Sequence, residues 1–555
     1  METVPVLAQG ASHTVTSFDD YAFQENNIFN MIESGRQWFG NDITSSPFDT
    51  TFYFPNRVPS SPVKVKVNAL SRSASTLTFS VKANNASLGA IETGSVRLND
   101  HIGLYGKQSS AIFTSNKIAD EKINISVKYN RTSTNDLGWL DYIDVNCRRN
   151  LSINNTILFF RNMESVGPGN VSEFIIENGN VQTLVWDITD VNTVKGFSPV
   201  SNGTTVSFKA PSDELREYVA FDKNAQFLTP MYEKGKNRVE NQNLHAQEPH
   251  KFVIVSNPFF IQQAEKLAQF HREKDNFSVL VTTTDKIYNE FSSGIRDVSA
   301  IRDFIRMLYL RSDESENALK YLLLFGDGSY NNILEDIYNP NFIPTYQSEN
   351  SLAPTGSYVT DDFFGLLDEN EGGSQEMGIY LLDIGIGRLP VKDTAEATAM
   401  VNKILRYNTP QSMLDWRNAL LFLGDDDGNY NVFMEKSSEL GDLVMNNYPQ
   451  YNVKKVLLDA YKITTTSSGN RYPDVSKTLF DNFKKGLLIF NYIGHGGEKA
   501  ITAEFVLTKE DLKGLKNKFY PLFITATCEF SRFDWIARDE KEITSRKPQP
   551  VKKPF

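Results

Sequence analysis

Leu487-Leu488-Ile489-Phe490-Asn491-Tyr492-Ile493-Gly494-His495-Gly496-Gly497 and Leu522-Phe523-Ile524-Thr525-Ala526-Thr527-Cys528 decide how this chain folds. Each is a short apolar run that stops at a residue able to do chemistry. Runs of this length, bounded by Gly or Pro, predict buried strands of a parallel sheet, because a strand covered on both faces needs apolar side chains at nearly every position. If the two strands are neighbours, an imidazole and a thiol leave the sheet side by side at its carboxyl end. Open α/β sheets place their active sites there.

Working outward, the residues before these runs alternate strand and helix. Phe252-Val253-Ile254-Val255, Val279-Leu280-Val281 and Tyr321-Leu322-Leu323-Leu324-Phe325 predict strands. Between them Ile261, Ala264, Leu267, Ala268 and His271 share one helical face, as do Ile301, Phe304, Ile305 and Leu308. His271 on such a stripe reads as a core or boundary histidine. Asp393 and Glu396 form a capping-box pattern before the helix that runs through Tyr407. A second series starts at Ala419-Leu420-Leu421-Phe422-Leu423. It continues with a helix near 432–448, a strand at 453–458, a helix at 475–485, and a short helix capped by Thr508 between the two opening runs. Alternating strands and helices imply a mostly parallel, doubly wound sheet, here in two subdomains, 246–412 and 413–534.

The first part of the chain follows a different period. Val63-Lys64-Val65-Lys66-Val67, Thr76-Leu77-Thr78-Phe79-Ser80-Val81 and Ile123-Asn124-Ile125-Ser126-Val127 alternate apolar and polar residues between Asn, Ser and Gly turns. That predicts an N-terminal all-β, sandwich-like region over 1–245. Cys147 falls on one of its strands and reads as a small core residue. The polar stretch 237–249 marks the boundary. The last residues, 535–555, are rich in Lys, Arg and Pro without apolar periodicity and predict a disordered tail.

Bulk properties narrow the function. A chain of 555 residues exceeds one core. A net charge of -11 argues against nucleic acid as a partner, since phosphate binding requires a basic surface. No apolar stretch is long enough to span a bilayer. The N-terminus lacks the basic start and apolar core of a signal peptide, which by itself places the chain in the cytosol. The histidines, His13, His101, His245, His250, His271 and His495, show no HExxH or paired spacing, so no catalytic zinc is expected.

Taken singly, His495 reads as a loop histidine and Cys528 as a buried apolar residue. Together at two strand ends, with small residues around each, they read as a base and a nucleophile. A thiolate is the reactive form of cysteine, and a neighbouring imidazole takes the proton or stabilises the ion pair. Acyl transfer also requires donors for the oxyanion. The backbone N–H of Gly496 can approach a substrate carbonyl closely, and the N–H of Cys528 is the natural second donor. Glu529, pointing the opposite way along the strand, is a poor base. Gly326-Asp327-Gly328 lacks the lysine and spacing of a phosphate loop. Asp425-Asp426-Asp427-Gly428-Asn429 reads as a solvated turn, or as oxygen ligands for calcium without a full EF-hand pattern.

These motifs resemble the gingipain-type cysteine peptidases. The resemblance rests on the apolar blocks ending in His495-Gly496 and Cys528, on 321–330, on Ser357-Tyr358-Val359-Thr360-Asp361-Asp362-Phe363-Phe364-Gly365, and on Asp383-Ile384-Gly385-Ile386-Gly387-Arg388-Leu389-Pro390. It covers roughly residues 130–535. It implies a caspase-like fold, His495 as base, Cys528 as nucleophile, and Asp361 as the acid that orients the histidine. Asp361 also reads as a solvated turn carboxylate or a metal ligand, and Asp362 is its nearest competitor. Within the family the resemblance is to the signal peptidases of type IX secretion in Bacteroidetes. It therefore implies an outer-membrane or cell-surface enzyme that removes C-terminal signals from secreted cargo and works with other secretion components. It further implies lipopolysaccharide as an acyl acceptor and calcium as a structural ion. Family members begin with a signal peptide that this chain lacks and continue past the cysteine, so the resemblance also implies a fragment. In that case a substrate wall is missing and a sheet edge lies bare. The rival reading is a surface scaffold or adhesin with a degenerate peptidase domain.

Overall fold

The computed structural model describes residues 2–534 except 6, 101, 154–156, 233–237, 314–315, 334–338, 340, 373–379, 427–430, 468, 529 and 531. The 535–555 tail, Glu529, His101 and residues 427–429 of the 425–429 turn lie outside the described residues. The chain divides into two units by its contacts, with the break at Val239/Glu240.

The first unit is all β. A sheet containing Ser17–Glu25, Leu137–Asn150, Val63–Arg72 and Lys107–Ser115 faces a second one built on Phe48–Tyr53, Lys122–Tyr129, Leu77–Ala83 and Ala86–Thr93. Period-two alternation turns Val63, Val65, Val67, Phe79, Val81, Ile123, Ile125 and Val127 into one shared core. Cys147 belongs to that core, 5% exposed, and burial pushes its thiol up to about 12. A second pair of sheets encloses an aromatic core around Phe160, Phe174, Phe208 and Tyr218. Residues 347–358 fall inside the span expected for the first α/β subdomain, but by their contacts they belong to this β unit. Ser351 accepts there from Gln37 N–H (2.9 Å), and Gln347 accepts from Gly35 N–H (3.0 Å).

The second unit holds two four-stranded parallel sheets. We label their strands β1 (Phe252–Ser256), β2 (Val279–Thr283), β3 (Tyr321–Phe325), β4 (Gly385–Leu389), β5 (Ala419–Gly424), β6 (Asn452–Leu457), β7 (Ile489–Ile493) and β8 (Leu522–Ala526). The orders are β2-β1-β3-β4 and β6-β5-β7-β8. The first sheet is covered on both faces. Val253, Val255, Leu322 and Leu324 meet α3 (Val298–Arg311) through Ile301, Phe304, Ile305 and Leu308. Phe252, Ile254 and Phe325 meet α1 (Ile261–Lys274) through Ala264, Leu267 and Ala268. His271 sits at the boundary of α1, its Nδ1 2.6 Å from Asp275 Oδ2.

In the second sheet Leu421, Leu423, Phe490 and Tyr492 pack on Val475, Leu479 and Phe483 of the Pro473–Lys485 helix. The helix Val432–Asn447 buries Met434, Ser437 and Gly441. Side-chain caps fix two helix starts. Asp393 accepts from Ala395 and Glu396 N–H (2.8 Å each), while Glu396 turns back to Lys392 N–H (2.9 Å) rather than to Asp393. Thr508 and Asp511 form a full capping box.

One strand departs from expectation. The apolar run of β8 predicts burial, yet Leu522 is 59% exposed and Phe523 and Ile524 are partly open. Among the described residues β8 is the edge strand, so only β7 covers it.

Candidate active site

Strand pairing brings the two functional ends together. Ile493 of β7 pairs with Ala526 of β8, and Gly494 N–H extends the ladder to the Ala526 carbonyl (3.3 Å). His495 and Cys528 each lie two residues past the last pair. They leave adjacent strands at the same level, roughly 5 Å apart at the backbone by strand spacing. Both are exposed. Two glycines allow this close approach. A Cβ on Gly494 would collide with Asp425 Cβ and the Tyr492 hydroxyl, and one on Gly496 would collide with Thr527 Oγ1 and stand 3.0 Å from the Cys528 carbonyl oxygen.

The His495 backbone is held at both polar atoms. Its N–H donates to Asp425 Oδ2 (2.8 Å), and its carbonyl accepts from Thr502 N–H (3.0 Å) and from the Tyr492 hydroxyl. The imidazole packs edge-on against Phe433, centroids 5.1 Å apart.

Asp425 stands at the carboxyl end of β5, the neighbour of β7. Its own N–H donates to the Ile493 carbonyl (3.1 Å), and its Oδ2 also accepts from the Tyr492 hydroxyl (3.2 Å). It is 1% exposed, and burial pushes its carboxyl up to about 6 against the opposing His495 N–H and Tyr492 bonds. Sequence reasoning saw Asp425 only as a turn residue or calcium ligand. The signal that would have found it is the strand order, since a carboxylate ending β5 must abut whatever follows β7.

Asp361 pairs with Arg388. Its two carboxylate oxygens accept from Arg388 Nε (2.8 Å) and Nη2 (2.7 Å). The Arg388 side chain, 4% exposed, also donates to the carbonyls of Gly326 (3.2 Å) and Ile343 (3.0 Å). Asp361 thus closes the end of the first sheet as the partner of a buried guanidinium. Among the described residues no hydrogen bond joins Asp361 to the His495 imidazole; its carboxylate bonds run to Arg388. Asp362 is exposed and begins a single turn of helix.

A cluster of carboxylates answers whether calcium fits. Asp425, Asp426 and Glu504 bring oxygen atoms within 4.8 Å of one another. Tyr472 donates to Asp426 Oδ2 (2.7 Å). Asp425 Oδ1 and Glu504 Oε2 are buried with no hydrogen-bond partner among the described residues. An oxygen-only donor set with two orphaned carboxylate oxygens fits a hard divalent cation.

Past Cys528 the chain crosses to the first sheet. Arg532 pairs with Glu498 (3.0 Å), Phe533 lies over Arg388 (4.9 Å), and the Asp534 carbonyl accepts from Tyr330 N–H (2.8 Å). A 160 Å³ cavity lies here, lined by Asp327, Lys392, Glu498, Arg532 and Phe533.

The model of peptidase family C25 matches residues 245–547, more than half of the chain. The chain belongs to peptidase family C25. That C25 region begins within the boundary stretch and contains both parallel sheets and the His495 and Cys528 ends. Among solved structures, dimeric latent PorU from Porphyromonas gingivalis matches with a TM-score of 0.64 and 25% identity. The match covers 73% of this chain and 39% of that one. The Arg-specific cysteine proteinase gingipain R matches at 16% identity over 51% of this chain and 55% of that one, with a TM-score of 0.34. No curated protein matches the sequence. Among the described residues no helix is long and apolar enough to cross a membrane.

Proposed function

We propose that this C25 chain is a cysteine endopeptidase that removes C-terminal signals from proteins exported by type IX secretion, acting at the outer membrane or cell surface. The observation that carries the chemistry is the in-register exit of His495 and Cys528 from adjacent parallel strands. The family match and the likeness to PorU support the rest.

In this reading the Cys528 Sγ thiolate adds to the scissile carbonyl and forms a thioester, while the departing amine takes a proton from the His495 imidazolium. The backbone N–H groups of Gly496 and Cys528 receive the oxyanion. Asp425 holds the His495 loop through its backbone N–H, and the family resemblance gives Asp361 the part of orienting the imidazole. The thioester then passes to water or to an amine of lipopolysaccharide, and the other secretion components deliver the cargo. Calcium, where bound, would be held by Asp425 Oδ1, Asp426 and Glu504 and would relieve the repulsion among them.

Replacing Cys528 by Ala in cells that carry the gene tests this directly. Cargo should keep its C-terminal signal, with processing reduced by about a thousandfold or more. Normal removal would overturn the reading. The exposed β8 edge favours a second reading, a non-catalytic surface scaffold, which predicts a Cys528 no more reactive than Cys147.

A further inference from the structure

A 230 Å³ cavity in the α/β unit lies away from the peptidase chemistry. One wall is the last turn of α4 (Thr394–Tyr407), which contributes Lys403, Arg406 and Tyr407. The facing wall is the segment before β8, which contributes Lys518 and Tyr520, with Trp416 behind. About 25 Å of nearly extended chain separates Tyr520 from Cys528, so the cavity opens at the amino end of the sheet, opposite the catalytic end.

Among the described residues its lining contains three cationic side chains and no carboxylate. No ion pair reaches Lys403, Arg406 or Lys518 among the described residues. Lys403 is partly buried, rests over the Tyr520 ring at 5.6 Å, and is pushed down by burial with no acid compensating. Cations in the last turn of a helix are explained by the helix dipole. That accounts for Arg406 on α4. It does not account for Lys518, which comes from a different segment and converges on the same space. Three unpaired cations converging on one cavity, Lys403 half-buried and Arg406 and Lys518 exposed at its rim, can recognise an oxyanion. The volume suits a phosphate group with a short stem and is too small for a polymer.

We propose that this cavity binds the dianionic head of a phosphate monoester, with Lys403, Arg406 and Lys518 on the phosphate oxygens and Tyr407 and Tyr520 flanking the stem. The ligand sits outside the peptidase site, so Cys528 stays accessible when it is bound.

Phosphorus NMR titration and thermal unfolding of the whole chain test this, with inorganic phosphate and glucose 1-phosphate as probes and acetate at equal ionic strength as control. Both phosphates should broaden saturably and raise the unfolding temperature, the ester binding more tightly. Lys403→Met should weaken binding by about tenfold, and Lys518→Met, at an exposed position that leaves folding intact, by about threefold. Lys477→Met, on a distant helix, should change nothing. Absence of saturable binding, an equal effect from acetate, or unchanged affinity in Lys518→Met would overturn the proposal.

Discussion

The two parallel sheets of the α/β unit share one strand order, yet their carboxyl ends have different chemistry. Two residues past β7 stands His495, and two residues past β3 stands Asp327. Two residues past β8 stands Cys528, exposed, and two residues past β4 stands Val391, 2% exposed in an apolar core. At the first end the charges are paired, Asp361 with Arg388 and Asp327 with Lys392 at 3.5 Å. At the second end buried carboxylate oxygens of Asp425 and Glu504 lack hydrogen-bond partners among the described residues. Connectivity therefore decides where a side chain leaves the sheet, and residue identity decides whether that position is structural or reactive.

The largest effect that would break this contrast is at the structural end. Asp361→Asn strands the buried Arg388 guanidinium and should cost about 3–5 kcal/mol of stability in chemical denaturation. A full loss of peptidase activity with unchanged stability would place Asp361 in the catalytic group instead. Asp425→Asn should do the opposite. It should cost only about 1–3 kcal/mol, because one buried acceptor is weakened. It should also slow cargo processing about 10- to 100-fold by loosening the His495 loop. A variant with wild-type processing would remove Asp425 from the site.

Calcium sharpens the same contrast. At about a hundredfold excess over its dissociation constant, it should stabilise the unit by about 2.7 kcal/mol in thermal unfolding. Glu504→Gln and Asp426→Asn should each abolish most of that gain, and Asp361→Asn should not. A gain that survives both substitutions would place the ion elsewhere.

The smallest effect concerns Asp327, whose carboxyl burial pushes up to about 6 despite Lys392. The folded chain holds that proton more tightly than the unfolded chain. Its contribution is therefore fully present below about pH 4 and is lost as pH rises through about 6. Asp327→Asn should flatten that part of the stability profile. An unchanged slope would assign it to other groups.

Much of this arrangement was legible in the sequence, and the exceptions share one cause. The strands, the Thr508 cap and the burial of Cys147 follow from local periodicity and local side-chain chemistry. Asp425 was missed as the anchor of His495 because the two are 70 residues apart and meet only through the order β5-β7. The Asp361–Arg388 pair spans 27 residues and depends on where a loop folds back over β4. The apolar run of β8 looks like that of β7, and no composition distinguishes an edge strand from a central one. Pairwise facts set by register and strand order are what a linear reading lacks.

The central claim is that His495 activates Cys528 at the second sheet end. Following iodoacetamide alkylation of each cysteine against pH, by mass spectrometry, tests it most directly. The account predicts that Cys528 reacts at pH 7 at least about tenfold faster than an unperturbed thiol, while buried Cys147 stays unmodified. It also predicts that His495→Ala slows alkylation of Cys528 at pH 7 to the rate of an unperturbed thiol. A Cys528 profile that is already ordinary, and that His495→Ala leaves unchanged, would contradict it.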